Sequence, residues 1–391
     1  MLRARATLAA VLAACIGLTL AGPAAADDSD KQSVVDRIVA KADPKLMEVL
    51  ITSRGEHGRP EFKTIKVSDV AAAKRVVADT LGKPGVSSVE MNHRVKALGW
   101  NDPYYPNQWA LDYRHFYFDK IWSSTKSDTA RPYVAVVDSG VQGNHPDLSS
   151  HMASGYNAIN GSALSKSSSS DDCGHGTHVA GIIAAGLNNG VGVVGMAQRA
   201  FIRPVKVLNH TLLNGCSGSD ASVAEGIAWA AEHAHVINLS FGSSDPSSAE
   251  QSAVDYALDL GRVVIAAAGN HDSTQPNGVS YPAAYPGVLG VAAVASSWKP
   301  ASFSNYGYWV DVAAPGVDIV STIPGGYEYM SGTSMAAPYV SAEAVLAIQH
   351  CRYSGSKTAD RIQTTASNYP TKKYSSIGWG IISPLKLLRC Q

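Results

Sequence analysis

The chain has 391 residues, enough for about two domains with a large core in at least one. Its 32 basic and 32 acidic residues cancel, which argues against a bulk electrostatic role with nucleic acid or an anionic membrane. Charged residues are only 16% of the chain while Gly, Ala and Ser are plentiful; this fits a compact, buried α/β protein and excludes a disordered chain or a coiled coil.

Arg3 and Arg5 open a short basic start, residues 6–20 are apolar, and Ala24, Ala25 and Ala26 offer a small-residue cleavage site. Residues 1–26 therefore read as a secretory signal peptide. The run is too short, and too soon followed by polar sequence, to anchor the chain in a membrane. Leu12, Ala13, Ala14 and Cys15 resemble a bacterial lipoprotein box, but the apolar run continues past Cys15, so cleavage is expected near Ala26. The mature protein is then expected outside the cell with no membrane attachment. Of five cysteines, loss of Cys15 leaves four: Cys173, Cys216, Cys351 and Cys390. Four cysteines allow three connectivities, and an even number in an exported chain points to two disulfides. The expected pairs are Cys173–Cys216 and Cys351–Cys390, each closing a loop of about 40 residues and contributing roughly 3–4 kcal/mol on a chain-entropy account.

Residues 27–97 read as a small α+β unit: strands over 47–53 and 62–67, a helix over 67–81 with Val70, Ala73, Val76, Val77 and Leu81 on one face, and a returning strand over 86–97. Residues 101–111, rich in Pro, Tyr and Asn, suggest an extended surface arm.

Residues 133–137 are apolar and β-rich, as in a parallel strand buried on both faces. Asp138 ends this run, where open α/β sheets gather their sites. An Asp there can orient a histidine; it is equally an ordinary cap or turn residue. Residues 162–170 read as a Ser-rich exposed loop. His175 follows at the start of a helix built from small residues. His175 and His178 are three apart, but there is no His-Glu-x-x-His pattern, so the pair is poor evidence for zinc. Residues 236–242 and 263–270 are further buried strands. The first leaves into a loop able to pair with an extended peptide, and the second ends at Asn270, whose amide can donate to an oxyanion or merely make a turn. In Gly332-Thr333-Ser334-Met335-Ala336-Ala337-Pro338, Ser334 stands at a helix start, where unpaired N–H groups and the helix dipole favour an anion. Ser and Thr are also common N-cap residues.

Asp138, His175, Asn270 and Ser334 appear in one order within four blocks: Val-Val-Asp-Ser-Gly, Gly-His-Gly-Thr-His-Val-Ala-Gly, Ala-Ala-Ala-Gly-Asn and Gly-Thr-Ser-Met-Ala-Ala-Pro. Together they resemble the subtilisin-like (subtilase) serine proteases over residues 100–390. The order Asp, His, Ser separates them from chymotrypsin and the α/β-hydrolases, and Ala336 stands where a hydrolase elbow has Gly. Asn-Asp-Pro at 101–103, Asn-His-Pro-Asp-Leu at 144–148 and the cysteine placement bring the secreted thermitase-like and proteinase K-like enzymes nearest.

The resemblance implies an α/β, subtilisin-like fold with a mostly parallel central sheet flanked by helices on both faces, over residues 98–391, preceded by an inhibitory pro-segment over 27–97 that is cut off near residues 95–101. It implies a secreted, monomeric endopeptidase acting on proteins and peptides. Ser334 would be the nucleophile, His175 the base, Asp138 its orienter and Asn270 the oxyanion donor. Ser240, Phe241, Gly242 and Ser243, with Ala267 and Gly269, would wall the specificity pocket. Phe241 is bulkier than the family's usual Leu, Ser243 stands where Gly is common, and no charge lies on these segments, so cleavage after apolar or aromatic residues is expected. Asp102, Asp147 and Asn189, with carbonyls from Gly186, Val191 and Val193, would bind structural Ca²⁺. Tyr339-Val340-Ser341-Ala342 departs from the family's frequent His-Val-Ala-Gly, a change expected to alter helix packing without touching the catalytic residues. Helix is expected to continue over 342–350 and to resume over 359–366.

Overall fold

The computed structural model describes residues 28–390, apart from 43, 45, 94–99, 169, 213–214, 272–277 and 368–376. The expected signal peptide, and most of the expected cleavage region at 95–101, lie outside the described residues. Contacts divide the chain into two compact units, Met1–Leu98 and Gly99–Gln391.

The first unit contains α1 (Asp28–Val39), β1 (Glu48–Arg54), β2 (Pro60–Lys66), α2 (Val70–Thr80) and β3 (Val86–Met91). Its antiparallel sheet has the order β2-β1-β3. Strand alternation gathers Val49 and Ile51 with Val89 and Met91 in one core, which Val35, Val39, Ala73 and Val77 of the two helices complete. α2 begins later than its apolar pattern suggests. The Val67 N–H is still spent on the Met47 carbonyl at 2.9 Å, and Asp69 caps the helix by accepting from the Ala72 N–H at 2.8 Å.

The second unit contains, in order, α3 (Phe118–Thr125), β4 (Tyr133–Asp138), β5 (Gly155–Asn157), β6 (Ser162–Leu164), α4 (His175–Ala184), β7 (Phe201–Lys206), β8 (Leu208–Thr211), β9 (Gly215–Gly218), α5 (Asp220–His233) and β10 (Val236–Leu239). It continues with α6 (Ser248–Asp259), β11 (Val263–Ala267), β12 (Leu289–Val294), β13 (Val312–Pro315), β14 (Ile319–Ile323), β15 (Gly326–Met330), α7 (Thr333–Leu346), α8 (Gly355–Thr365) and α9 (Pro384–Leu387). The main sheet has eight strands in the order β13-β12-β11-β10-β4-β7-β5-β6. Its neighbours are parallel except for the edge pair β5-β6.

Alternating residues feed two separate cores, which is why these strands read as unbroken apolar runs. Val134 and Val136 of β4 join the layer of α4 and α7. Ala135 and Val137 join the layer of α5 and α6 on the opposite face. α7 is buried on every side, and Ser334 is its one residue that is not buried.

Three expectations change. Residues 101–111 form two short 3-10 turns, Tyr105–Asn107 and Trp109–Leu111. Pro106 presets the first turn, and the Gln108 side chain anchors the stretch by exchanging two bonds with the Val194 backbone, at 2.7 and 2.8 Å. The Ser-rich stretch begins as β6, paired with β5. The helix carrying Ser334 passes into a π-helical turn at Ala347–Cys351. Cys173 is bonded to Cys216 and Cys351 to Cys390, across 43 and 39 residues.

Glu343 of α7 is fully buried, and burial holds its carboxyl well above the ordinary 4.5, against a weaker pull from the Ser383 N–H. The folded state thus keeps a proton that the unfolded chain releases above pH 4.5. Stability from this group is complete below that pH and falls as pH rises toward the folded value, by about 1.4 kcal/mol per pH unit. Glu343→Gln should therefore raise the melting temperature relative to the parent by more at pH 8 than at pH 5, as read by scanning calorimetry.

Candidate active site

Because β4, β10 and β11 are parallel neighbours, their carboxyl ends open on one edge of the sheet. Asp138 ends β4, Ser240 follows β10, and Asn270 follows β11. The N-termini of α4 and α7 bring His175 and Ser334 to the same edge.

Asp138 is wholly buried. Its Oδ1 accepts from the Ser139 N–H at 2.7 Å and lies 2.8 Å from His175 Nδ1; Oδ2 is 3.0 Å from the same nitrogen. This contact assigns the proton to Nδ1 and leaves Nε2 as the free base. α4 can approach so closely only because residue 176 is glycine: a Cβ there would stand 2.1 Å from the Gly140 carbonyl oxygen. Burial lowers the His175 pKa, but the Asp138 charge and hydrogen bond, helped by the Asp171 charge, outweigh it, so the net shift is upward from 6.5.

Ser334 and Ser240 are bonded in both directions. Ser334 Oγ donates to the Ser240 carbonyl at 2.8 Å, and Ser240 Oγ donates to the Ser334 carbonyl at 2.9 Å. The second bond has a covalent cause. Pro338 sits four residues on and has no N–H to give that carbonyl, which would otherwise be satisfied within α7. Asn270 Oδ1 accepts from both the N–H and the hydroxyl of Thr333, each at 2.9 Å. That fixes the amide flip and turns Nδ2 away from Thr333. A Cβ built on Gly332 would lie 3.3 Å from Asn270 Nδ2 and 3.6 Å from the Ser334 nitrogen. The two donors thus flank one small space, kept open by the missing side chain at 332. Helix position leaves the Ser334 N–H without an intrahelical acceptor.

Several supporting residues escaped the sequence reading. The Asp171 carboxylate accepts from Ser139 Oγ at 2.8 Å and from the N–H groups of Cys173, Gly174 and Thr177 at 3.1, 2.8 and 2.8 Å. It also takes the Thr177 hydroxyl at 2.6 Å. One carboxylate thereby caps α4 and fastens it to the residue beside Asp138. Ser341 touches none of Asp138, His175 and Ser334, but it joins Ser334 through two intermediaries. Its hydroxyl donates to Asn238 Oδ1 at 2.8 Å, and Asn238 Nδ2 donates to Ser240 Oγ at 2.8 Å, the hydroxyl that holds Ser334. His178 is buried, its pKa pushed down to about 4 by burial, and its Nε2 lies 3.1 Å from the carbonyls of Ile319 and Glu328.

The segments expected to wall a pocket run outward from this centre. Ser243 exchanges two backbone bonds with Tyr281, both 2.8 Å. Phe241 is half-buried against the α5–α6 core, and Gly242 and Ser243 are exposed. Gly269, at φ 102°, donates its N–H to Thr333 Oγ1 at 3.1 Å. Ala267 is packed in the α7 core.

The residues expected to hold a metal also converge. Asp102 accepts from the N–H groups of Asn188 and Asn189 at 2.7 and 3.0 Å. Asp147 accepts from Asn189 Nδ2 at 2.7 Å and the Val193 N–H at 2.9 Å. Its backbone carbonyl takes the Gly186 N–H at 2.8 Å, while Asn189 Oδ1 takes the Val191 N–H at 2.9 Å. Both carboxylates are buried, and among the described residues no cationic side chain pairs with either. Burial, with the Asp102 charge adding, pushes Asp147 up to about 6. Two buried acids without a counter-charge, brought against a loop rich in amide oxygen, fit a hard divalent cation.

The model of the subtilase family matches residues 129–380. A thermophilic serine proteinase of Bacillus sp. (strain AK1) is 40% identical over 344 residues, spanning 85% of this chain and 81% of that protein. Thermitase of Thermoactinomyces vulgaris is 40% identical over 275 residues, 68% of this chain and 94% of thermitase. Among solved structures, a protease from Pseudoalteromonas arctica PAMC 21717 superimposes with a TM-score of 0.66 at 30% identity, covering 74% of this chain and 98% of that one. The chain belongs to the subtilase family and is a subtilisin-type serine peptidase.

Asp171→Asn removes a negative charge that raises His175 and halves the acceptor capacity that caps α4. The acid limb of kcat/KM, placed above pH 6.5 in the parent, should move to lower pH, and kcat should fall while KM stays nearly constant. A pH–rate profile of both proteins checks this; an unmoved acid limb would mean that Asp171 has no electrostatic hold on His175.

Proposed function

We propose that the chain is a secreted endopeptidase in which Ser334 attacks the scissile carbonyl carbon of a bound polypeptide. To do so its hydroxyl leaves the Ser240 carbonyl and turns to His175 Nε2. That nitrogen takes the proton and returns it to the departing amine, while Asp138 holds the imidazole in its tautomer and stabilises the imidazolium. Asn270 Nδ2 and the Ser334 N–H stabilise the oxyanion of the tetrahedral intermediate. The acyl-enzyme is then released by water along the reverse course. The observation that carries this reading is the convergence, at one sheet edge, of the Asp138–His175 contact at 2.8 Å with a serine and two donors around the empty Gly332 position.

The finer reading has four further parts. Residues 1–26 direct export; among the described residues no helix is long and apolar enough to cross a membrane. Residues 27–97 act as a pro-segment that the mature domain over 98–391 removes from itself. The substrate side chain before the cut is apolar or aromatic, set by Phe241, Gly242, Ser243 and the Ala267–Gly269 turn. Calcium held by Asp102, Asp147 and Asn189, with carbonyls of Gly186, Val191 and Val193, ties the arm at residue 102 to the mature domain, which works as a monomer.

Mass spectrometry of the exported protein beside Ser334→Ala tests the central claim. The parent should begin near residues 95–101 and degrade casein, whereas the variant keeps its pro-segment and leaves casein intact. Equal maturation of both, with casein uncut by either, would overturn self-processing and the assignment of Ser334. Asn270→Ala should retain KM while turnover falls by on the order of 10²–10³, a range established in subtilisin itself. Chelation should lower the melting temperature of Ser334→Ala by roughly 5–10 °C; that drop should disappear in a variant that also carries Asp147→Asn.

A further inference from the structure

A cavity of about 440 Å³ opens between the arm, α3 and the loop that follows α4, within the roughly 300–1,000 Å³ typical of small-ligand sites. Trp100, Trp122 and Leu187 give it apolar walls, and Arg131 and Arg199 give it two cations. Asp138, His175, Asn270 and Ser334 do not line it. Strand register fixes its place. Tyr133 of β4 pairs with Phe201 of β7 in parallel, so Arg131 and Arg199 stand at matched positions, each two residues before its strand begins. Asp138 ends β4, about 16 Å along the strand from Tyr133 at the usual rise per residue. The cavity and the Ser334 centre therefore lie at opposite ends of β4.

Neither arginine has a carboxylate partner among the described residues. The Lys126 carbonyl accepts from Arg199 Nη2 and holds that side chain in place. Arg131 is exposed and lies over the Phe201 ring, 5.0 Å from its centre. His151 also lines the cavity. Burial lowers its pKa from 6.5 and the Arg131 charge lowers it further, so it is neutral at pH 7 and the cavity's charge is that of the arginines. No carboxylate lines the cavity. Asp119 accepts Trp100 Nε1 at 2.6 Å, and Asp102 and Asp147 are turned to the candidate cation site of the loop. Two like charges on adjacent strand ends repel, and a guest anion replaces that repulsion with attraction.

We propose that this cavity binds the free C-terminal carboxylate of a peptide whose last residue is apolar or aromatic. The proposal rests on the peptidase reading of the Ser334 centre, with cleavage after such residues: each cut then leaves one fragment that ends in that side chain and a new carboxylate. A guanidinium matches a carboxylate with two parallel N–H bonds. The side chain next to the carboxylate meets the two indoles and Leu187, walls that an inorganic anion would leave bare. Trp100 belongs to the arm and Leu187 to the loop that carries Asn189. A bound fragment spans both and stabilises the folded domain by mass action.

The test is isothermal titration of the mature parent after phenylmethylsulfonyl fluoride has sulfonylated Ser334, which keeps the probe out of the Ser334 centre. N-acetyl-phenylalanine should bind with a Kd on the order of 1 mM. N-acetyl-phenylalaninamide, which lacks the charge, and inorganic phosphate, which lacks the ring, should each bind at least about tenfold more weakly. Arg131→Gln, an exposed change, should weaken the acid by about tenfold, and adding Arg199→Gln should abolish binding. The single variant keeps the test open if the double one does not fold. Equal binding of acid and amide, phosphate bound as tightly as the acid, acid binding intact in Arg131→Gln, or no binding of the acid up to about 20 mM overturns the proposal. A parent whose Ser334 takes no sulfonyl group, and which leaves casein uncut, overturns the peptidase reading and removes the source of this ligand with it.

Discussion

The absence of one N–H, at Pro338, organises the site. In an uninterrupted helix the Ser334 carbonyl would be satisfied from within. Here it is left for Ser240 to satisfy from outside, and a buried backbone acceptor has to be paired. The bond draws the end of β10 onto the first turn of α7, so the segment that leaves β10 and the residue that carries the Ser334 hydroxyl are set by a single contact. Ser341 and Asn238, both buried, extend the same hydrogen-bonded path into the core. The proline breaks no helix here because the group it disappoints finds a better-placed partner.

The edge that gathers Asp138, His175, Asn270 and Ser334 is therefore assembled from backbone constraints before any side chain acts. Parallel strands deliver Asp138, Ser240 and Asn270 to one edge. Glycines at 176 and 332 remove atoms that would block a helix approach or fill the donor space. Asp171 spends its carboxylate on five donors around the start of α4, which fixes the imidazole relative to Asp138. The electrostatics follow from this geometry: burial works against a charged His175, and two nearby carboxylates reverse the sign.

Much of this was legible in the residues. Buried parallel strands show as continuous apolar runs, so β4, β10 and β11 and the polar residues at their ends stood out. So did the small-residue helix after His175. Less legible was whatever depended on partners distant in sequence. Asp171 and Asp172 are indistinguishable by type, yet only Asp171 faces the α4 N–H groups. Ser341 read as a packing change because its acceptor, Asn238, lies about a hundred residues away. β8, β9, β14 and β15 are short hairpin strands with little periodicity. α1 has a polar surface and few apolar positions, so only its packing on β3 and α2 declares it.

α7 is surrounded by protein along its whole length, and Ser334 is its single residue in partial contact with solvent. The Ser334 hydroxyl, the proposed nucleophile, therefore sits on an element without a local opening mode of its own: α7 cannot fray without exposing the core of the sheet. Segments of this kind exchange their amide hydrogens only when the whole domain opens. Loss of the hydroxyl's setting and loss of the fold become one event, and the lifetime of activity on heating becomes a direct reading of the rate of global unfolding.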